Sequence, residues 1–218
     1  MSNKKNIQCL FHLDYEQLIE LVEEELYIKN WFVREENIEN RTENISKSER
    51  FLYMKKQAQK NDIYFDKREI VTWLDSLNTL YFVFDNIKDE HLRDSIIIIQ
   101  EYCIPYTNKR ADYLLIYDNK ILILEFSFNK LGYELQYEQK LQQAIGYKEL
   151  LSNILPKEID IGTYTFLIEP EEDKNGKVFK IKNTDYFPNH YKIQDLALFV
   201  EKFFNKNINL AINSLKQL

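Results

Sequence analysis

The chain has 218 residues, 29 Lys plus Arg against 35 Asp plus Glu for a net charge of -6, and 44% hydrophobic residues, with four Gly and four Pro. That is length and apolar content for one domain, or one domain with a helical appendage, and it excludes a loop-rich or disordered chain. The acidic balance excludes a protein that coats nucleic acid through a general basic field, but weighs less against a metal-dependent enzyme, whose cations offset its acidic ligands.

Residues 13 to 60 are polar and favour helix. In "DYEQLIELVEEELYIKNWFV" (14–33), Leu18, Leu21, Val22 and Leu26 recur at helical spacing. "EENIENRTENISKSER" (35–50) reads as a loop or frayed helix, and "SKSERFLYMKKQAQK" (46–60) as resumed helix. From Asp66 to Ile87, residues Ile70, Leu74, Leu77, Tyr81 and Phe84 follow steps of four, three, four and three, with no Gly or Pro between them, which predicts an amphipathic helix.

Three strands are predicted next. "SIIIIQEYCIP" is β-branched and stops at Pro105; "RADYLLIYD" and "KILILEFSF" flank a turn at Asp118-Asn119-Lys120. "YELQYEQKLQQAIGYKELLSNIL" (133–155) reads as a long helix halted by Pro156, "GTYTFLIEP" as a fourth strand, and "EEDKNGKVFKI" as turn material with a short strand. The tail from Gln194 is helical, with Leu196, Phe199, Val200 and Phe203 on one stripe. The hairpin makes the middle strands antiparallel, and the helical crossover allows a parallel return. The expected fold class is α/β (α+β): a mixed sheet flanked by helices, with an N-terminal helical segment.

Cys9 and Cys103 stand far apart, with no metal-ligand spacing, so neither a disulfide framework nor a zinc site is expected. The N-terminus lacks a secretory apolar core, and no apolar run is long enough to span a membrane. A cytoplasmic location without a membrane partner is expected.

The chemistry concentrates in "KRADYLLIYDNKILILEFSFNK" (109–130), where Asp112 and Glu125 lie one in each strand of the hairpin. Asp112, Leu114 and Ile116 share one face of their strand, and Glu125 and Ser127 share a face of the next, so the two acids meet at one sheet edge if the register permits. Two adjacent carboxylates repel, and a hard cation such as Mg²⁺ (or Mn²⁺) relieves the repulsion. The alternative is an Asp112 paired with Arg110 at the start of its strand and a Glu125 that is only a strand-end charge. On the long helix Gln136, Lys140, Gln143 and Tyr147 form one narrow polar face, fit either to hold phosphate and water beside the acids or simply to meet solvent.

Taken together, these residues resemble the PD-(D/E)XK, or restriction-endonuclease-like, phosphodiesterase superfamily. Its core of helix, three strands, helix and strand carries an Asp and then a Glu-x-Lys. Asp112 and Glu125 match the acids, and Gln143 to Tyr147 matches the Q-x-x-x-Y motif of RecB-like branches. A closer similarity is to the nuclease-like region preceding some bacterial Schlafen-type helicases, through "TWLDSLNTL" (72–80), "EYCIP" (101–105), "KRAD" (109–112) and "LILEFS" (122–127). The likeness covers about residues 68 to 170, and no GxxxxGK[ST] loop occurs anywhere.

The resemblance implies an N-terminal helical segment over 1–62 and a nuclease-like domain over 63–218. It implies a Mg²⁺-dependent nuclease, with DNA the expected substrate, in bacterial or phage defence or repair. The departure is Ser127, which stands where the family has lysine. Lys140 is the first candidate to replace that lysine and Lys130 the second. A third metal ligand is sought among Glu69, Asp75 and Glu101, with Glu101 inside the matched motif. Lys109, Arg110, Lys120, Lys130 and Lys148 are candidate phosphate contacts. The alternative function is a catalytically inactive nuclease-fold module that binds nucleic acid or a protein partner; a homodimer is also open. His12, His91 and His190 have no partner at catalytic spacing and are expected to be structural.

Overall fold

A computed structural model of the chain describes residues 8–23, 42–43, 45–128, 133–168 and 190–215. The elements run β1 (Phe11–Leu13), α1 (Tyr15–Glu23), α2 (Glu49–Lys60), α3 (Lys67–Asp85), α4 (Glu90–Ser95), β2 (Ile97–Cys103), β3 (Arg110–Tyr117), β4 (Lys120–Phe128), α5 (Tyr133–Ile154), β5 (Asp160–Ile168) and α6 (His190–Leu215). They make a mixed α/β architecture.

The five strands lie in the order β1-β2-β3-β4-β5, antiparallel except for the β4–β5 pair, which is parallel. The parallel step is the crossover through α5 that the strand–helix–strand order implies. Alternation along the strands divides the apolar residues between two faces. Ile98, Tyr113, Leu115, Leu122, Leu124 and Phe126 join α1, α3 and α6 in the larger core. Ile99, Leu114 and Ile123 face the other way, against Tyr147 and Leu151 of α5.

α3 begins where its sequence supplies a cap. Asp66 accepts from the Arg68 amide, and Glu69 reaches back to the Asp66 amide at 3.3 Å, a reciprocal capping box. Of its predicted stripe, Ile70, Leu74, Leu77 and Phe84 are buried and Tyr81 packs on the core margin. α2 starts on Ser48, whose hydroxyl accepts from the Phe51 amide.

β1 and α4 are elements that sequence periodicity did not predict. β1 is three residues long, too short to show alternation, and it extends the sheet at β2 through Leu10 N–H to Gln100 O and Cys103 N–H to Gln8 O. α1 and α2 bury Leu18, Val22, Phe51 and Met54 in the same core as α3. Leu26, Trp31 and the stretch 171–181 lie outside the described residues. No helix among the described residues is long and apolar enough to cross a membrane.

Candidate functional site

The β3–β4 hairpin turns at Asp118, whose backbone is left-handed (φ 53°), and pairs regularly from Tyr117↔Lys120 to Tyr113↔Leu124. The next positions along these strands are Asp112 and Glu125, where the ladder ends. Side chains take over from the backbone there: the Asp112 amide donates to Glu125 Oε1 at 3.0 Å, and the Phe126 amide donates to Asp112 Oδ2 at 2.8 Å. Each acid thereby satisfies an amide that the separating strands leave without a carbonyl, and both carboxylates are held at the opening.

On the other side of β3, the β2–β3 register is continuous except at Glu101, opposite Asp112. The Glu101 backbone is left-handed, φ 52°, an uncommon and costly state for a residue with a side chain. Three acids therefore come from three adjacent strands at the same level of the sheet.

Lys140 of α5 lies over two of them. Its Nζ donates to Asp112 Oδ1 at 3.1 Å, Asp112 Oδ2 at 2.9 Å and Glu125 Oε2 at 2.8 Å. Lys140 is brought to the two carboxylates by the packing of α5 on β4 and β5. One turn further along α5, the Gln143 amide donates to the Tyr147 hydroxyl. Burial raises the Tyr147 hydroxyl to about 12, against the lowering effect of that hydrogen bond.

The electrostatics follow from burial. Glu125 is fully buried, and desolvation, with Asp112 beside it, pushes its carboxyl up to about 8 despite Lys140. Burial opposes the charge on Lys140, but Asp112 and Glu125 outweigh it and the ammonium binds its proton more tightly than usual. Glu101 is buried; desolvation and then Asp112 raise its carboxyl well above the usual range, and Arg110, with Nε at 3.4 Å, pulls the other way.

These groups border an open groove of about 860 Å³ between α3 and α5, lined by Glu69, Trp73 and Ser76 of α3, by Glu101, Lys109, Arg110 and Asp112, and by Gln139, Lys140, Gln143 and Tyr147. Beneath it a buried polar network stiffens the floor. Gln100 Nε2 donates to Tyr113 Oη at 2.8 Å and to Trp73 O at 3.3 Å, and Tyr113 Oη meets Ser76 Oγ at 3.0 Å.

The donor set fits a hard divalent cation. Both Asp112 oxygens and Glu125 Oε2 already converge on one positive point, the Lys140 ammonium, within 3.1 Å, and carboxylate oxygens are the ligands Mg²⁺ and Mn²⁺ prefer. Among the described residues no three His, Cys, Asp or Glu side chains converge as a ligand set, so Glu101 stands beside the acidic pair and is turned to Arg110.

Of the other expected site residues, Arg110 is committed within the protein, with Nη2 3.2 Å from Glu69 and Nη1 donating to Tyr64 O at 2.9 Å. Glu69, one of the acids considered as a third metal ligand, is thus an ion-pair partner of Arg110. Asp75 is buried in α3. Lys109 is exposed on the groove; Lys148 is exposed on α5 outside the groove lining; Lys130 lies outside the described residues.

Ser127 is buried in β4 and absent from the groove lining. Lys120 must be corrected as a phosphate contact. It is 2% exposed, and its Nζ donates to the carbonyls of Phe203 and Phe204 in α6 at 2.8 and 3.0 Å. The reason is strand parity: Lys120 shares its face with Leu122 and Leu124, which point into the larger core. Gln100, Tyr113 and Ser76 were not foreseen; the one signal was a glutamine inside the apolar run "IIIIQ".

Comparison with family models, curated proteins and solved structures finds no match to this chain.

Proposed function

We propose that the protein is a divalent-metal-dependent phosphodiesterase acting on nucleic acid, built on a restriction-endonuclease-like arrangement, with DNA the expected substrate. The observation that carries this reading is the junction of Asp112, Glu125 and Lys140 at the point where β3 and β4 part, with both carboxyl groups within 3.1 Å of Lys140 Nζ.

Asp112 and Glu125 would hold Mg²⁺ or Mn²⁺, which when bound neutralises phosphate charge and acidifies water. The chain's own residues have distinct tasks. Lys140, in place of a lysine at Ser127, is positioned to move from the carboxylates to a phosphate oxygen and stabilise the charge developing there. Gln143 and Tyr147, hydrogen-bonded to each other, orient water or substrate at the α5 wall. Lys109 supplies an exposed phosphate contact. Burial and then Asp112 hold the Glu101 carboxyl well above its usual range, and Arg110 stands against it and pulls the other way.

A second reading draws on the ion pairing itself. Lys140 compensates both acids without any metal, as an inactive nuclease-fold module would need to bind nucleic acid or a protein partner. A nicking assay on plasmid and single-stranded substrates with Mg²⁺ or Mn²⁺ separates the readings. Wild type should cut, and Asp112→Asn, Glu125→Gln and Lys140→Ala should each lose at least ~10²-fold. Equal background in all four proteins, with no thermal stabilisation by Mg²⁺, refutes the enzyme and leaves the binding module.

A further inference from the structure

All four oxygens of the acidic pair are in use. Asp112 Oδ1 and Oδ2 and Glu125 Oε2 accept from Lys140 Nζ at 3.1, 2.9 and 2.8 Å. Glu125 Oε1 accepts from the Asp112 amide at 3.0 Å, and Asp112 Oδ2 also accepts from the Phe126 amide at 2.8 Å. These amide bonds tie each carboxylate to the neighbouring strand, so neither can turn to offer a fresh oxygen without opening the strand ends. The oxygens left for a cation are the ones the ammonium already holds.

A divalent cation would need those same oxygens. Mg²⁺ draws its oxygen ligands to about 2.0–2.1 Å in near-octahedral geometry, and the lysine ammonium donates into the same lone pairs. Two cations on one pair of carboxylates also repel each other at short range. Ammonium and metal therefore exclude one another. Of the groups involved, the lysine is the one able to yield. Its charge sits on a flexible four-carbon stem. The side chain is 27% exposed and lines the open groove of about 860 Å³, so it can withdraw while α5 stays packed on β4 and β5.

We propose that Lys140 is a built-in competitor of the divalent cation: in the resting protein its ammonium fills the carboxylate oxygens, and the metal enters only as it withdraws. The inference rests on reading Asp112 and Glu125 as a metal site, and it adds a control on how that site is filled. Only molecules with the ammonium withdrawn can take metal, so the apparent dissociation constant exceeds the intrinsic one by the reciprocal of their fraction.

The test is a titration of the full chain with Mn²⁺ alone, free and bound ion being resolved by electron paramagnetic resonance. Wild type should bind weakly. Lys140→Met should bind about 5- to 150-fold more tightly, the span of a typical coupling between two ligands of one protein. Lys140→Gln, neutral but still able to hydrogen-bond, should shift the same way and stands in if the methionine variant does not fold. Adding Asp112→Asn should abolish the gain. A second readout needs no variant: reductive methylation of Lys140 in wild type, followed by peptide mass spectrometry, should be slow in EDTA and faster with saturating Mg²⁺, because the withdrawn amine is the reactive one.

Equal Mn²⁺ affinity in wild type and both Lys140 variants, a gain that survives Asp112→Asn, or methylation indifferent to Mg²⁺ overturns the proposal. Equal affinities that Asp112→Asn removes would leave the metal site standing and reject only the competitor; no Mn²⁺ binding by any of the proteins rejects both. The plasmid assay reports separately on the enzyme. A chain that does not cut, but whose Lys140 variants bind Mn²⁺ more tightly, keeps the competitor and loses the phosphodiesterase.

Discussion

Replacing Lys140 by methionine keeps an apolar stem and removes the ammonium. Three carboxylate oxygens within 3.1 Å then lose their cation. Glu125 is fully buried, while the Lys140 and Asp112 side chains are 27% and 22% exposed. Removing one member of a buried pair typically costs about 3–5 kcal/mol, because the remaining charge is stranded. Glu125, however, can escape by taking a proton. Its folded pKa is raised from 4.5 to about 8, above its value in the unfolded chain. The folded state therefore holds more protons than the unfolded state across that window, and Glu125 makes stability fall as pH rises through it, by at most about 5 kcal/mol. Lys140 is one of the groups that lower the Glu125 pKa, so its loss extends the protonated range upward.

The Lys140→Met penalty is thus expected to depend on pH. At pH 6, with Glu125 protonated in both proteins, the loss is mainly of hydrogen bonds, about 1–2 kcal/mol. At pH 9 wild type carries the paired carboxylate, whereas the variant must strand it or bind a proton, and the penalty should reach about 3–4 kcal/mol. Urea unfolding of both proteins at the two pH values measures the difference. Adding Glu125→Gln to Lys140→Met should remove most of the pH dependence. Equal penalties at pH 6 and pH 9 would refute the account of Lys140 as the counter-charge of a buried Glu125.

Asp112→Ala removes the acceptor of the Phe126 amide and should cost about 1–3 kcal/mol without any metal; faster hydrogen exchange at Phe126 than in wild type, with Leu124 still protected, checks the cause, and unchanged Phe126 protection would discount it. Gly162→Ala places a Cβ 2.6 Å from Phe203 Cε2 and 2.9 Å from Cζ, so the melting point should fall by the equivalent of about 1–3 kcal/mol. Gly146→Ala, in α5 with nothing outside its own turn of helix within 4 Å of the added carbon, should raise it by about 0.5–1 kcal/mol; the opposite order of the two variants would contradict the packing of α6 on β5.

The elements that sequence made legible are those whose signal is local. β4 begins and ends at its predicted residues, Lys120 and Phe128, and α3 starts at the Asp66 cap and buries Ile70, Leu74, Leu77 and Phe84. The meeting of Asp112 with Glu125 was legible only as a conditional, since one residue of slippage reverses a strand's faces; the two-residue turn at Asp118 and Asn119 is what fixes the register. Lys140 could be placed on a polar face of α5, but its bonds to Asp112 and Glu125 depend on the tertiary seating of that helix. Arg110 read as a phosphate contact from its charge and the adjacent Lys109; its partner Glu69 lies 41 residues away. The Lys120 error was avoidable, since period two already set it with Leu122 and Leu124.

The two acids complicate any test of their chemistry, because the fold uses the same atoms. Asp112 Oδ2 and Glu125 Oε1 take over where the β3–β4 ladder stops, so truncating either side chain opens the strand ends as well as deleting a charge. An inactive Asp112→Ala protein would therefore not distinguish a lost ligand from a displaced groove wall. Asparagine and glutamine keep an acceptor oxygen for the amide and give up the negative charge. If activity disappears in Asp112→Asn and Glu125→Gln while the Phe126 and Asp112 amides stay protected from exchange, the charge itself is what the chemistry requires; if the amides open together with the loss, the strand junction is.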